Sequence, residues 1–104
     1  MDDVQLDLEF SGEIWHWRGP APFFFVTVPD DASDQLHEVA GALSYGWGML
    51  PVRARIGTTT WRTSLFPKDG GYVLPVKVAV RRDERIDVGD TVPVSLTLGG
   101  DRTR

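Results

Sequence analysis

Trp61-Arg62-Thr63-Ser64-Leu65-Phe66-Pro67-Lys68-Asp69-Gly70-Gly71-Tyr72-Val73-Leu74-Pro75-Val76-Lys77, continuing through Arg81-Arg82 to Val88-Gly89-Asp90-Thr91-Val92, is the stretch on which the fold turns. It reads as strand, tight loop, strand, proline, short basic segment, Gly-Asp turn and strand. Trp61, Thr63 and Leu65 alternate with Arg62 and Ser64, the period-two pattern of a strand with one dry and one wet face. Pro67 to Gly71 is built from strong turn formers, and Tyr72-Val73-Leu74 is the next strand. Val76 to Arg82 supports two readings. Val76, Val78 and Val80 alternate as in a strand. Pro75, however, cannot donate to a ladder and suits a helix start, which places Lys77 and Arg81 on one helical face.

The flanking sequence supplies partners for this stretch. Val52, Ala54 and Ile56 alternate with Arg53 and Arg55, and Gly57-Thr58 marks a turn, so residues 52–66 read as a hairpin. Val92, Val94, Leu96 and Leu98 alternate as the last strand. Gly99 to Arg104 has nothing to pack and reads as a frayed tail. At the other end, Val4, Leu6, Leu8, Phe10 and Ile14 share one parity, against Gln5, Asp7, Glu9 and Glu13 on the other. Gly12 interrupts the dry parity and suggests a bulge or bend. Trp15 and Trp17 sit on the opposite parity, so the strand end is expected to be covered on both faces.

Gly19-Pro20-Ala21-Pro22 is a turn, and Phe23 to Val28 is apolar on both parities, as in a doubly covered central strand. Asp30 and Asp31 offer N-caps. Ala32, Leu36, Val39, Ala40 and Leu43 then recur at helical spacing. A helix is therefore expected from Ala32 to Leu43, stopping near Tyr45-Gly46-Trp47-Gly48, where glycine can adopt a left-handed cap. The core should draw on Leu8, Phe10, Ile14, Phe25, Val28, Leu36, Ile56, Leu65, Leu74, Val92, Val94 and Leu96.

A weak internal repeat organises these elements. Each half carries a tryptophan-bearing strand, a loop, an aromatic strand, a proline (Pro29, Pro75) and a helix. This predicts a mainly β fold with two short helices, closed as one small pseudo-symmetric barrel. At 104 residues a single domain is expected, spanning 1–98.

Composition excludes several chemistries. The chain has no cysteine, so disulfides, thiolate metal sites and cysteine nucleophiles are absent. His16 and His37 show no His-x-x-x-His or Glu-x-x-His spacing, and no serine sits in a Gly-x-Ser-x-Gly elbow. No glycine group matches a phosphate loop. Neither enzyme, cofactor nor metal is expected. Asp2 and Asp3 follow Met1 with no basic start or apolar run, and nothing approaches the ~20 apolar residues of a membrane span, so a cytoplasmic protein is expected.

Net charge is −4, but it is unevenly placed: residues 1–52 hold nine acids and one base (−8), residues 53–104 ten bases and six acids (+4). Either the halves interleave and neutralise one another, or the second half forms a local basic patch. The acidic first half argues against binding duplex DNA. Trp47, between two glycines, either plugs a barrel end, the favoured reading, or stands out as an anchor.

Tyr45-Gly46-Trp47-Gly48-Met49-Leu50-Pro51-Val52, the Trp61–Gly70 block, Tyr72-Val73-Leu74-Pro75-Val76-Lys77, Arg81 and Gly89-Asp90-Thr91-Val92 together resemble a bacterial family of domains of unknown function. That family occurs alone or fused to YdeI/OmpD-associated domains. The resemblance implies a double-split β-barrel, similar to those of AbrB and MazE regulators. It favours a short helix after Pro75 and supplies no catalytic residue. A binding module follows as the expectation, with a partner protein or a small anionic ligand. A nucleic-acid-binding regulator is the alternative, by analogy of fold alone. If Pro75 opens a helix, Lys77 lies in its first turn and Arg81 one turn on. Arg62 is then placed to complete an anion site, with Trp47 or Trp61 as its wall.

Overall fold

The computed structural model describes residues 5–20 and 24–99. The expectations for Val4, for Phe23 and for a tail beyond Gly99 lie outside the described residues. Within them the order is β1 (Gln5–His16), β2 (Phe24–Thr27), α1 (Asp30–Leu43), β3 (Leu50–Ile56), β4 (Thr59–Lys68), β5 (Gly71–Pro75), α2 (Val78–Glu84) and β6 (Thr91–Gly99). The strands close into a six-stranded antiparallel barrel, ordered β1-β2-β5-β4-β3-β6. The mainly β architecture with two helices is thus the one expected.

The repeat is real in the topology. Exchanging β1 with β4, β2 with β5 and β3 with β6 leaves the set of strand pairings unchanged, β1–β2 becoming β4–β5 and β1–β6 becoming β4–β3. Both long strands bend across the barrel. β1 pairs β6 from Gln5 to Glu13 and β2 from Ile14 to His16; β4 pairs β3 from Thr59 to Leu65 and β5 from Phe66 to Lys68. The barrel therefore has a large sheet (β1, β6, β3, β4) and a small one (β1, β2, β5, β4). Gly12 lies at the bend of β1 but is no bulge, since Ser11↔Pro93, Gly12↔Val92 and Glu13↔Thr91 run on in register. Its role is close approach: a Cβ there would stand 2.6 Å from Val26 Cγ1.

Inward residues form one core. Ile14, Val26, Leu36, Leu50, Leu65 and Leu74 are fully buried; of the twelve expected core residues ten belong to this cluster, Phe10 packs partly buried against it, and Phe25 is buried outside it, on the outer face of the small sheet. The turns follow their chemistry. Asp69 and Gly70 both take positive φ (52° and 82°), as a two-residue hairpin of the primed kind requires. The ladder consequently reaches Lys68, and Pro67 and Lys68 belong to β4 rather than to a loop.

The helices depart from expectation at their ends. α1 starts at Asp30, with Pro29 as N-cap and no side-chain capping bond; Asp30 and Asp31 occupy its first turn, at the positive end of the dipole. It ends at Ser44 in an extended conformation, so no glycine caps it. α2 starts three residues after Pro75. Val76 first extends the β2–β5 pairing, its N–H donating to the Phe24 carbonyl (2.9 Å), and Lys77 is the N-cap. The residue equivalent to Pro29 is therefore Lys77, not Pro75: both cap their helices with φ near −65° and ψ above 150°.

Candidate functional site

The two sheets present opposite chemistry to solvent. On the large sheet, alternation puts Arg53 and Arg55 (β3), Arg62 and Thr60 (β4), Ser95 and Thr97 (β6) and Asp7 and Glu9 (β1) outside. Register aligns them in two rows, Arg62–Arg53–Thr97–Asp7 and Thr60–Arg55–Ser95–Glu9. Bases of the second half and acids of the first thus share one face, on either side of a strip of hydroxyls.

The small sheet carries an aromatic outer face. Trp15 pairs with Phe25 in register, with ring centroids 5.3 Å apart, and Phe25 lies 6.0 Å from Phe66. The Trp15 indole N–H donates to the Thr27 hydroxyl (2.9 Å), which fixes the ring across the face. Trp15, Trp17, Pro20, Phe25, Phe66, Pro67, Lys68 and Val73 line a groove of about 370 Å³. Lys68 Nζ stands 5.1 Å from the Trp17 ring centroid, a cation–π contact at the rim. The inner parity of these strands already fills the barrel, so this apolar layer is additional to the core.

The turn that carries Trp47 lies beside the groove. The Tyr45–Met49 segment folds back on itself (Tyr45 N–H to Met49 C=O, Met49 N–H to Tyr45 C=O, both 2.9 Å). Gly46 and Gly48 take positive φ, and Trp47 sits between them, 94% exposed. The Tyr45 and Ser64 hydroxyls are 2.6 Å apart, and a Cβ on Gly48 would touch Pro67 of the groove at 3.5 Å. The barrel-plug reading of Trp47 is corrected: the glycines serve the turn, and the turn holds the indole outward.

The other expected site residues separate. Trp61 is buried in the core cluster, its indole nitrogen lacking a hydrogen-bond acceptor, so it is no wall to an open site. Arg62 lines a cavity with Arg53, not with Lys77 or Arg81. Arg81 lies over Phe24, guanidinium carbon 3.6 Å from the ring centroid, and pairs with Asp87 at 3.5 Å. Lys77, as N-cap, leaves its side chain in solvent. The helix-start geometry assumed for Lys77 and Arg81 is therefore not present. Trp15, Trp17, Phe66, Pro67 and Lys68 were not singled out as a site by the sequence. The signal available was the opposite parity of Trp15 and Trp17, which marks a second apolar face; that face is not covered as expected, since Trp17 follows the end of β1 and is exposed.

Two titratable groups lie outside these sites and depart from their ordinary values. Glu84 accepts from the Thr59 hydroxyl and from the Thr58 N–H and hydroxyl, and these bonds, Thr59's first, hold its carboxyl below the usual range. Burial pushes the Tyr72 phenol up. Among the described residues, no group of three or more His, Cys, Asp or Glu side chains is placed to hold a metal ion, and no helix is long and apolar enough to cross a membrane.

A search of curated proteins finds no match to the chain. A family model does match, over residues 10–96, from the middle of β1 to the middle of β6, and takes in the groove and the Trp47 turn. The chain belongs to the family described as Domain of unknown function (DUF1905).

Proposed function

We propose that the protein is a non-enzymatic binding module that holds a partner protein segment in the aromatic groove of the small sheet, with Trp47 as an outlying anchor. The observation that carries this reading is the pairing of an open apolar groove with a 94% exposed tryptophan on a tightly hydrogen-bonded turn beside it. Burying an exposed aromatic is a leading source of interface energy, and a preformed turn keeps the ordering cost low. The central strands of the small sheet, β2 and β5, are paired on both edges, so a partner in the groove engages side chains rather than adding a strand between them. Lys68 already occupies the Trp17 face, which argues against a cationic ligand in the groove. Nucleic acid is the weaker reading, since Asp7 and Glu9 share the face of Arg53, Arg55 and Arg62.

The test is affinity capture from the source cell with the wild type, Trp47→Ala and Trp17→Ala, followed by direct titration of the recovered segment. Binding that weakens in both variants, with melting temperatures unchanged, supports the reading. Binding indifferent to both variants overturns it.

A further inference from the structure

The large sheet carries a second candidate site, independent of the groove. Arg53 and Arg62 face one another directly across β3 and β4, and Arg55 follows two residues along the same face. Like charges directly opposite on a sheet are unfavourable. The surrounding side chains make the pair useful for an anion. Thr97, aligned with Arg53 in the same outward row, brings a hydroxyl, and Leu43 and Pro51 give an apolar flank; with Val52, Thr63 and Gly99 these residues and the two arginines line a cavity of about 210 Å³. Guanidinium groups are planar forks that match the oxygens of phosphate two at a time.

We propose that this cavity is an oxyanion site that takes the phosphate group of a small phosphomonoester between Arg53 and Arg62. The cavity's size selects the head group: whole drug-sized ligands need roughly 300–1,000 Å³. Charge selects against a polyanion. Asp7 and Glu9 lie two strands from Arg53 and Arg55, roughly 10 Å at normal strand spacing, so a nucleic-acid backbone crossing the face meets carboxylates. Both Arg53 and Arg62 already make contacts within the chain. A ligand shares or displaces those contacts, and weak binding is the expectation, with a Kd on the order of 1 mM for inorganic phosphate.

The experiment is a chemical-shift titration of the full chain with inorganic phosphate, phenyl phosphate and a single-stranded oligonucleotide, at constant ionic strength set with chloride. Saturable shifts at residues 51–53, 62–63 and 97 with phosphate and phenyl phosphate are expected. They should be lost in Arg62→Gln and in Arg53→Gln, and only weakened in Arg62→Lys, which keeps the charge and loses the fork. The variants' spectra away from the cavity report that they remain folded. Absence of saturable shifts, equal shifts with chloride alone, or shifts that survive in Arg53→Gln/Arg62→Gln overturns the site. Oligonucleotide binding about tenfold or more tighter than phenyl phosphate overturns the assignment to a phosphomonoester.

Discussion

Glu84 of α2 reaches across to Thr59 at the start of β4, and its carboxylate takes the Thr59 hydroxyl together with the N–H and hydroxyl of Thr58. One side chain thereby ties the short helix to the β3–β4 turn. The bonds, that from Thr59 first, favour the ionised carboxyl and hold its pKa below the usual carboxylate range. A depressed carboxylate stabilises the fold above its unfolded pKa, and that contribution is lost as pH falls through the folded value. Glu84→Ala should therefore lower the melting temperature at pH 7 and make less difference at pH 3. An equal deficit at both pH values would count against the role.

Gly12 is required by its neighbour, not by its own backbone angles. A Cβ at this position meets Val26 Cγ1 at 2.6 Å and the Thr27 carbonyl oxygen at 3.3 Å, and Val26 is fully buried. Gly12→Ala should cost about 1–3 kcal/mol, the range for overpacking. Val26→Ala in the same chain should relieve part of it, giving a coupling of about 0.5 kcal/mol or more in a double-mutant cycle by chemical denaturation. Strict additivity would show that the strands move apart freely.

Trp61 is buried with its indole N–H lacking an acceptor. An unmet buried donor costs about 1–3 kcal/mol. Trp61→Phe removes that donor while keeping most of the ring. It should cost well under the roughly 3–5 kcal/mol expected of Trp61→Ala. Equal losses in urea titrations would mean the indole nitrogen does have a partner.

Arg85 closes α2 in the left-handed conformation (φ 56°), its N–H donating to the Arg82 carbonyl at 3.3 Å, with Ile86 N–H reaching back to Arg81 (3.0 Å). This is the position where glycine is the favoured residue. Arg85→Gly should stabilise the protein by about 0.5–1 kcal/mol, the strain of a side chain in this region. A lower melting temperature in the variant would show that the arginine side chain contributes more than the backbone strain costs.

Much of the barrel was legible because its strands alternate cleanly. Val52-Ala54-Ile56 and Val92-Val94-Leu96-Leu98 show period two along the whole element, and every one of those residues is buried. The helix ends were less legible because ladder partners decide them. Pro75 looks like a helix start, but the Phe24 carbonyl takes the Val76 N–H and holds the chain extended until Lys77. The groove was hidden for a related reason. Trp15, Phe25, Val73 and Phe66 become neighbours only through the order β1-β2-β5-β4, which no local pattern displays. Trp47 was ambiguous because Gly-Trp-Gly sets a turn without stating which way the turn faces.

The seam between β1 and β6 joins Gln5 to Gly99, so the first and last described strands complete the ring. That pairing closes the longest loop the fold contains, and contacts so distant along the chain form late, on the millisecond-to-second scale typical of non-local β topologies. During synthesis the pairing must wait until β6 leaves the ribosome. Until then β1 has only its Ile14–His16 end matched to β2, and Gln5 to Glu13 lack their ladder partner. The rate-limiting step of folding should accordingly respond to substitutions along Leu8 and Leu96 more than to those in α1.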